Sequence, residues 1–448
     1  MRGSPARPVG AHSADRFIFL ALVLLAQACA PASASASIQS PEIDQADVER
    51  IVRTLAADDM RGREAFSEDA NRAADFLAGE FASAGLESLD GVDGYQQRFA
   101  ARTLTPRDAR VRIDGRELFP NEFAFRPGSG SISWSTGDVP LVVVGPDDEA
   151  FSVINSVAFA GFDALVLVND IHGEVFRQVV QIFRRSVRTL ADTVGASVVV
   201  ALANATPDAT FQVSAVADVV EEPLRNVVGM IPGRRSDEYV LFSAHYDHLG
   251  VLRPFRGDSI ANGANDNASG TAAVVSLAKY FARRGTPERT LLFAAFTAEE
   301  GGGYGSRYFS RQLDPDRIVA MFNIEMIGKP SARGPNTAWI TGFDRSSFGP
   351  ILQEAVDGTP YSFYPDPYPT YDLFYRSDNA TLARLGVPAH SISTTPIDVD
   401  ENYHQVSDEI DTLDLAHLTS TIRAIARGAE TIVSGRETPT RVELEAGN

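Results

Sequence analysis

Residues 239–250 read YVLFSAHYDHLG, an apolar run that ends in histidine and aspartate. A helix-forming stretch at 271–281 and a second apolar run at 290–296 follow. Short apolar runs that alternate with helices are typical of an α/β protein, whose sheet is covered by helices on both faces. Ligand sites of such sheets form at the carboxyl ends of the strands, which is where His245 and Asp247 stand.

Four later segments also place polar side chains where an apolar run or a turn ends. These are Asp266 in GANDNASG (263–270), Glu299 and Glu300 in TLLFAAFTAEE (290–300), Glu325 in FNIEMIG (322–328) and His404 in YHQVSDEID (403–411). Each segment alone has an ordinary structural explanation, such as a helix-capping turn or a solvated loop. Adjacent carboxylates after a buried strand, however, repel each other unless they share a cation or a proton. The ordered set therefore indicates a metal site at the edge of the sheet.

The composition narrows the chemistry of that site. The chain has 40 basic and 59 acidic residues and a net charge of −19, so nucleic acid would be repelled and is excluded as a partner. One cysteine, Cys29, rules out disulfides within the chain and zinc sites built from several thiolates. A metal ion would therefore be held by carboxylates and by some of the seven histidines, and zinc accepts both kinds of ligand.

The first residues predict a targeting segment. Arginines precede an apolar run at 17–28, which is shorter than the about 20 residues that span a bilayer and fits a signal peptide over residues 1–28. Cys29 follows directly and is similar to the lipid-attachment cysteine of bacterial lipoproteins, although cleavage at Ala32-Ser33-Ala34 is an equal alternative. We expect an exported protein of the bacterial periplasm, tethered to the membrane through a lipidated Cys29, with secretion as the alternative.

Two regions upstream of residue 239 have their own patterns. Apolar residues at three- and four-residue spacing between 43 and 86 predict two helices. Apolar runs predict strands at 141–144, 164–168 and 197–202. Between the last two runs, residues 176–190 predict an amphipathic helix. Its polar side carries Arg177, Arg184, Arg185 and Arg188. We interpret these arginines as a solvated face rather than as a docking site for an anionic partner.

The segments AHYDH, GANDNASG, TAEE, FNIEMIG and YHQVSDEID together resemble the M28 family, co-catalytic zinc metallopeptidases that include bacterial aminopeptidases. The resemblance covers residues 226–418, with a weaker one over 51–86. It implies an α/β fold, with a mixed central β-sheet sandwiched by helices and an inserted smaller domain of the protease-associated kind. The implied organisation is a signal peptide (1–28), a small-residue linker (29–42), N-terminal helices packed on the catalytic domain (43–110), the inserted domain (111–222), the M28 catalytic domain (223–435) and a polar tail (436–448).

The resemblance also implies a set of metal ligands for two zinc ions. Asp266 would bridge the two ions. His245 and Glu325 would complete the protein ligands of one ion, and Glu300 and His404 those of the other. Glu325 stands where many members of the family have aspartate, so the geometry at its metal ion is left open.

Other residues would act beside the metal. By resemblance, Glu299 would be the general base that takes a proton from a metal-activated water, Tyr403 would hydrogen-bond the developing oxyanion, and Asp247 would orient His245. The family also has a cis peptide after the bridging aspartate, here Asp266-Asn267.

Three other polar residues are assigned no catalytic role. Asn379 replaces a family histidine in the segment RSDN (376–379), and we do not expect it to be catalytic. His248 and His390 are interpreted as structural.

The resemblance favours an exported dizinc metallopeptidase that removes N-terminal amino acids from peptide substrates with a free N-terminus. Carboxypeptidase or dipeptidase action on the same fold is an alternative, and so is glutaminyl cyclase, which is expected to use a single zinc ion. A non-catalytic binding module is disfavoured because the expected ligands and the expected base are all present.

Substrate selection is left open by the sequence. An aromatic stretch at 361–375 either lines a pocket for an apolar side chain or packs as a surface loop. Asp366, Asp372 and Asp378 are equal candidates for binding the α-ammonium group of a substrate.

Overall fold

Apolar runs form strands and amphipathic stretches form helices in the computed structural model, which describes Met1 and residues 42–444. The helices are α1 (Gln45–Leu55), α2 (Glu68–Ala84), α3 (Ala150–Ala158), α4 (Gly173–Phe183), α5 (Gly270–Ala282), α6 (Tyr304–Phe309), α7 (Phe348–Val356), α8 (Ala380–Ala383) and α9 (Leu415–Val433). The strands are β1 (Gln96–Ile113), β2 (Arg116–Glu117), β3 (Phe123–Arg126), β4 (Ser131–Ser135), β5 (Leu141–Val144), β6 (Ala164–Val168), β7 (Val187–Leu190), β8 (Val198–Leu202), β9 (Phe211–Ile231), β10 (Arg235–His245), β11 (Gly250–Phe255), β12 (Asp258–Ala261), β13 (Arg289–Phe296), β14 (Ile318–Ile324), β15 (Thr337–Ile340), β16 (Ser362–Pro365) and β17 (Ala389–Ser393).

The expected signal peptide and Cys29 lie outside the described residues. Among the helices that the structure describes, none combines the length and the apolar character needed to cross a membrane.

The two helices predicted between residues 43 and 86 are confirmed as α1 and α2. Asp44 caps α1 by accepting a hydrogen bond of 3.2 Å from the amide of Ala46. Ser67 caps α2 in the same way, through the amide of Ala70 at 3.2 Å. Gly85 ends α2 in the left-handed conformation, with φ at 76°, which a residue without a Cβ adopts at little cost.

The main sheet has a parallel centre, with antiparallel pairs on either side of it. Its strands lie in the order β16-β15-β17-β14-β10-β13-β9-β1-β2, with β4 added beside β9 and β7 beside β1. β10 is parallel to both β13 and β14, and β14 is parallel to β17. β9 pairs with β13 in the antiparallel direction. The sheet is therefore mixed, as expected from the sequence.

The central strands are buried on both faces, which explains their uninterrupted apolar sequence. In β10, Val240 and Phe242 pack in a core cluster with α1, α2, α5 and α9. Leu241, between them, packs in a second cluster with Phe309 of α6 and Leu382 of α8. Successive side chains of a strand point to opposite faces, so the helices cover both sides of the sheet.

Four of the strands between residues 123 and 202 form a second, smaller sheet. Its order is β3-β8-β6-β5, and α3 and α4 pack on one of its faces. The runs predicted as strands at 141–144, 164–168 and 197–202 are confirmed as β5, β6 and β8, the last beginning one residue later.

A long antiparallel ribbon connects the two sheets. β1 and β9 pair from Gln96 opposite Val227 to Ile113 opposite Phe211. Residues 96–110 are therefore strand, although the sequence analysis grouped them with the N-terminal helices. The alternation of buried and solvated residues along β1 and β9 can be recognised only once the two strands are known to pair. The domain boundaries at 111 and 222 stay a prediction, because both strands continue across them.

The amphipathic helix predicted over 176–190 is wrong in its second half. α4 ends at Phe183, and Val187–Leu190 form β7, which pairs with β1. The free edge of β1 offers backbone hydrogen-bond partners, and pairing with them is more favourable for these residues than continuing α4. Arg188 consequently lies on a strand, 3.2 Å from Glu222, and does not share a face with Arg177.

Candidate metal centre

Three parallel strands deliver polar residues to one edge of the main sheet. β10 ends at His245, β13 ends three residues before Glu299, and β14 ends one residue before Glu325. Phe242 of β10 is in register with Phe293 and Phe322 on its neighbours, so these strands end at the same level. This is the carboxyl edge where α/β sheets collect ligands.

Asp266 approaches this edge from a turn that precedes α5. The Asp266-Asn267 peptide is cis, as the family resemblance led us to expect. The carboxylate of Asp408 accepts hydrogen bonds from the backbone amides of Asn265, at 3.0 Å, and Asp266, at 2.9 Å. These bonds fix the backbone from which the Asp266 carboxylate projects.

The first cluster joins His245 with two carboxylates. Its Nε2 lies 3.3 Å from Asp266 Oδ1 and 3.3 Å from Glu325 Oε2. Single atoms of the three side chains come within 4.8 Å of one another, a separation at which one ion can contact all three. The His245 and Asp266 side chains are almost fully buried.

The second cluster uses the other oxygen of Asp266. His404 Nε2 lies 3.2 Å from Asp266 Oδ2 and 3.2 Å from Glu300 Oε2. The five residues expected as metal ligands therefore converge, with one oxygen of Asp266 facing each histidine. A carboxylate arranged in this way can be shared by two cations.

His248 joins this second cluster, which the sequence analysis did not anticipate. Its Nδ1 lies 3.0 Å from Glu300 Oε1 and 3.9 Å from Asp266 Oδ2, and the ligand atoms of these three residues lie close enough together to hold one ion. The signal in the sequence was its position three residues after His245. The sequence does not show that Glu300 lies beside His248, so the interpretation of His248 as merely structural missed this contact.

Glu325 is held by neighbours that accommodate its length. Its Oε1 accepts hydrogen bonds from Ser377 Oγ at 2.6 Å and Asn323 Nδ2 at 3.1 Å. Its Oε2 accepts one from Asn267 Nδ2 at 2.7 Å and still faces His245. The extra methylene relative to aspartate is thus matched by groups that fix both oxygens.

Asp247 contacts His245 differently from the expectation. The Nδ1 of His245 lies 3.1 Å from the backbone carbonyl of Asp247 and 3.8 Å from its carboxylate. The carboxylate instead accepts a hydrogen bond of 3.1 Å from the amide of Glu299. Asp247 thus orients His245 through its main-chain carbonyl, and its carboxylate holds the backbone amide of Glu299 in place. Burial raises the pKa of Asp247 to about 6.

Tyr403 and Glu299 both face the same cavity. The ring of Tyr403 stacks on His404 with centroids 3.9 Å apart. Burial and the negative charges of Asp266 and Glu300 raise the pKa of Tyr403, so its hydroxyl remains a donor at neutral pH. Burial also raises the pKa of Glu299 well above its ordinary value.

The electrostatics of the clusters suit a cation. Burial lowers the pKa of His404, but its hydrogen bonds to Asp266 and Glu300 outweigh that effect and raise it to about 10. His245 behaves alike: burial is outweighed by the charge of Glu325 and its hydrogen bonds, and its pKa rises well above the ordinary value. The carboxylates thus attract positive charge strongly, and protons on the histidines supply it when no metal does. The donor set of imidazole and carboxylate fits zinc.

The clusters open into a cavity. Its remaining wall includes the apolar side chains of Met326, Trp339, Leu373 and Ile397, and the exposed Arg376. An apolar wall beside a few convergent polar groups is the usual form of a small-molecule site.

The aromatic stretch at 361–375 mostly packs in the protein. Tyr361 and Phe363 belong to the core beneath α9, and Phe374 to the core on the opposite face. None of the aromatic residues in this stretch lines the described cavity. Leu373 is the residue of this segment that does. The packed-loop interpretation is therefore the better one.

The three aspartates proposed for an α-ammonium group also lie away from the cavity wall. Asp366 accepts a hydrogen bond of 2.8 Å from the amide of Tyr368. Asp372 is exposed within the aromatic stretch. Asp378 is buried and lines a neighbouring cleft together with Glu299.

His390 and Asn379 are buried and hydrogen-bonded to neighbouring parts of the fold. His390 is buried on β17, with Nε2 2.7 Å from Ser346 Oγ and Nδ1 2.8 Å from the carbonyl of Thr341. The amide of Asn379 donates to the carbonyl of Phe374 at 2.8 Å. Neither residue lines the cavity.

The fold and the donor set define an α/β protein with two adjoining clusters of histidine and carboxylate side chains that could hold metal ions. Residues 226–429 match the family model described as Peptidase family M28, so this part of the chain is an M28 peptidase domain. The matched region contains every residue of both clusters.

Curated relatives are similar over parts of the chain. A probable zinc metalloprotease of Leptosphaeria maculans is 36% identical over 121 residues, 26% of this chain and 28% of that protein. Leucine aminopeptidase 1 of Pyrenophora tritici-repentis is 25% identical over 211 residues, 43% of this chain and 51% of that protein. The chain thus spans between about a quarter and a half of the length of these relatives.

Solved structures are similar over most of the chain. The aminopeptidase from Aneurinibacillus sp. strain AM-1 has a TM-score of 0.51 at 17% identity, covering 91% of this chain and 97% of that one. The zinc aminopeptidase of Bacillus subtilis has a TM-score of 0.52 at 16% identity, covering 89% and 97%. At these identities the likeness establishes the fold.

Proposed function

We propose that this chain hydrolyses peptide bonds with two zinc ions and removes amino acids from the free N-terminus of peptides. The observation that carries the proposal is the placement of Asp266, which presents one oxygen 3.3 Å from His245 and the other 3.2 Å from His404. Its occurrence within an M28 peptidase domain supports the assignment to peptide hydrolysis.

Two zinc ions would be held by residues that already converge. His245 and Glu325 would hold one ion, Glu300 and His404 the other, and Asp266 would contact both. When bound, zinc supplies a Lewis acid that lowers the pKa of water towards 7 and polarises a carbonyl group.

Glu299 is proposed as the general base. It lines the cavity between the clusters, and its backbone amide is fixed by Asp247. Its raised pKa suits a group that takes a proton from water and then delivers it to the leaving amine. Glu300 faces the histidines instead. In the adjacent pair, Glu299 is thus assigned proton transfer and Glu300 metal binding.

Tyr403 is proposed to stabilise the oxyanion. Its hydroxyl stays protonated because its pKa is raised, and its ring is fixed by stacking on His404. A donor fixed in this way can strengthen its hydrogen bond as negative charge develops on the carbonyl oxygen.

The cavity wall favours an apolar terminal side chain. Met326, Trp339, Leu373 and Ile397 offer apolar surface, and leucine or a side chain of similar size would bury itself against them. The name of the relative in Pyrenophora tritici-repentis, leucine aminopeptidase 1, agrees with this choice.

Carboxypeptidase or dipeptidase action is the second candidate, and Arg376 favours it. This exposed arginine lines the cavity, and its positive charge acts on Tyr403. A guanidinium at this position could bind the carboxylate of a short peptide.

Glutaminyl cyclase with a single zinc ion is less well supported. One zinc would leave His404, Glu300 and His248 clustered around Asp266 without a cation. A zinc content near one per chain, together with pyroglutamate formation, would favour this reaction.

Export and lipidation are proposals that rest on the sequence. The apolar run at 17–28 and Cys29 after it support a tether to the membrane on the periplasmic side. In cell fractionation, the Cys29→Ser variant should move from the membrane to the soluble fraction. An unchanged distribution would contradict lipidation.

The substrate proposal is tested with chromogenic substrates. Leucine p-nitroanilide should be cleaved in the presence of zinc, and its N-acetyl derivative should not, because acetylation removes the free N-terminus. Cleavage of the acetylated substrate alone would contradict aminopeptidase action. A panel of aminoacyl p-nitroanilides then ranks the side chains, and dipeptides with free or amidated carboxyl groups test the second candidate.

A further inference from the structure

Arg63 is a fully buried arginine that bonds only to backbone carbonyl groups in the described hydrogen bonds. It ends the kinked segment Asp58–Arg63 that follows α1, outside the region matched by the M28 model. Its Nε donates to the carbonyl of Tyr246 at 2.7 Å, its Nη1 to that of Asn262 at 2.7 Å, and its Nη2 to that of Gly263 at 3.0 Å. A fourth bond, from Nη1, reaches Leu55 at the end of α1.

These carbonyl groups belong to the two segments that carry metal-cluster residues. Tyr246 lies between His245 and Asp247. Gly263 lies three residues before Asp266, in the turn that precedes α5. One rigid guanidinium thus connects the end of β10 with the turn of the shared carboxylate. Several donors in a planar fork fix relative position more strictly than a single ammonium group can.

The backbone around Arg63 is pressed against the same two segments. A methyl group added at Gly62 would lie 2.4 Å from the carbonyl oxygen of Ala261 and 2.7 Å from that of Gly250. The amide of His248 donates to the carbonyl of Arg63 at 3.3 Å. The side-chain amide of Asn262 also donates to Asp58, at 2.7 Å. The segment therefore has one available position relative to the metal clusters.

The charge and the geometry of Arg63 act on metal binding in opposite directions. Burial lowers its pKa to about 10, while Asp247, Asp408 and Asp266 favour the charged form, so it is a cation at neutral pH. A nearby positive charge repels a metal cation. The bonds to Tyr246, Asn262 and Gly263, in contrast, strengthen binding by holding the ligands in place. Removal of the side chain therefore raises or lowers the zinc affinity according to which effect dominates.

We infer that Arg63 is a positioning residue of the metal centre, which holds the segments of His245 and Asp266 in register, and that this geometric effect exceeds its charge repulsion. The M28 region alone is then an incomplete metal centre, because one of its supports comes from the N-terminal segment. The inference rests on the proposed metal centre and deepens it.

The test compares Arg63 with Arg289, a second buried arginine that bonds backbone carbonyl groups and also pairs with Glu238. Arg289 begins β13, at the opposite end of the strand from Glu299, and donates to the carbonyls of Ile432 and Glu437 at 2.7 and 2.6 Å. Arg63→Met and Arg289→Met remove comparable buried groups, and Arg63→Lys and Arg289→Lys keep the charge. In the full chain, zinc affinity is measured by competition with a chromogenic chelator, and the melting temperature of the metal-free protein reports stability.

Both methionine variants should lower the melting temperature, whereas only the Arg63 variants should lower the zinc affinity. We expect a loss of at least tenfold for Arg63→Met, a smaller loss for Arg63→Lys, and a change within twofold for both Arg289 variants. If Arg63→Met fails to fold, the two lysine variants carry the same comparison.

Two results would overturn the inference. Unchanged or tighter zinc binding in the Arg63 variants of a chain that binds zinc would remove the positioning role alone. A wild-type chain that binds no zinc would remove the metal centre and this role with it.

Discussion

The hydroxyl of Ser377 donates a hydrogen bond of 2.6 Å to Oε1 of Glu325. This bond joins the loop before α8 to the residue that directly follows β14. It fixes the oxygen of Glu325 that faces away from His245, so that the other oxygen can face the histidine. This hydrogen bond and the one from Asn323 hold the longer glutamate side chain as firmly as the shorter side chain of an aspartate would be held.

Removing this bond should weaken metal binding. In Ser377→Ala, Oε1 of Glu325 keeps only Asn323 as its described partner, and we expect the affinity for zinc to fall about tenfold, as for other groups that orient ligands. Chelator competition measures this change. The control is Ser276→Ala, a buried serine of α5 whose hydroxyl has no described partner. Equal zinc affinities in the two variants would refute the role of Ser377.

The adjacent glutamates should respond in opposite ways to the same substitution. Glu299→Gln should keep both zinc ions and lose at least about 100-fold in kcat, because the amide cannot accept the proton of water. Glu300→Gln should lose zinc, since its carboxylate faces His404 and His248. Metal analysis and steady-state kinetics check both variants. Wild-type turnover in Glu299→Gln would exclude it as the base.

Tyr403→Phe should reduce kcat by about 100-fold and leave KM within about threefold, because the hydroxyl acts on charge that develops in the transition state. Stacking on His404 is retained by phenylalanine, so zinc content should not change. Tyr280→Phe, near the carboxyl end of α5 and outside the cavity wall, serves as the matched control. A loss of zinc in Tyr403→Phe would assign the tyrosine a structural role instead.

Zinc uptake should release protons at neutral pH. The pKa of His404 is raised to about 10 and that of His245 lies well above its ordinary value, so both imidazoles are protonated in the metal-free protein at pH 7. Zinc binds neutral imidazole, so binding should release about two protons, and the apparent affinity should rise with pH up to about 10. Calorimetric titration in buffers of different ionisation enthalpy counts these protons. Zinc binding without proton release would contradict the charged state of the histidines.

The same shift has a consequence for the metal-free fold. A histidine whose pKa is raised on folding stabilises the folded state fully below its unfolded value of about 6.5. That contribution is lost as the pH rises through about 10. The metal-free protein should therefore become less stable over this range, and the zinc-loaded protein should not.

Residues close in sequence to a strand end were predictable. The apolar runs before His245, Glu299 and Glu325 are long enough to be strands, and parallel strands must bring their carboxyl ends to one edge. The convergence of these residues follows from that rule. Asp266 and His404 joined the set only through the order of the motifs, since their loops have no periodic pattern.

Contacts between distant segments were not predictable. The β1 and β9 ribbon depends on pairing between residues 98 to 131 positions apart in the sequence, and its alternating pattern is interrupted at Pro106. Asp247 was assigned to His245 through its carboxylate, but the choice between carbonyl and carboxylate depends on where the amide of Glu299 lies. Arg63 gave no signal as a partner of Tyr246, because its bonds are to main-chain atoms, which any residue offers.

Zinc content is the most direct test of the account, because two clusters that share Asp266 require two ions. Full-length protein, dialysed against limiting free zinc, should contain two zinc ions per chain by elemental analysis. His404→Ala should retain about one, at the His245 cluster. A wild-type chain that is fully active with one zinc ion per chain would contradict the shared centre.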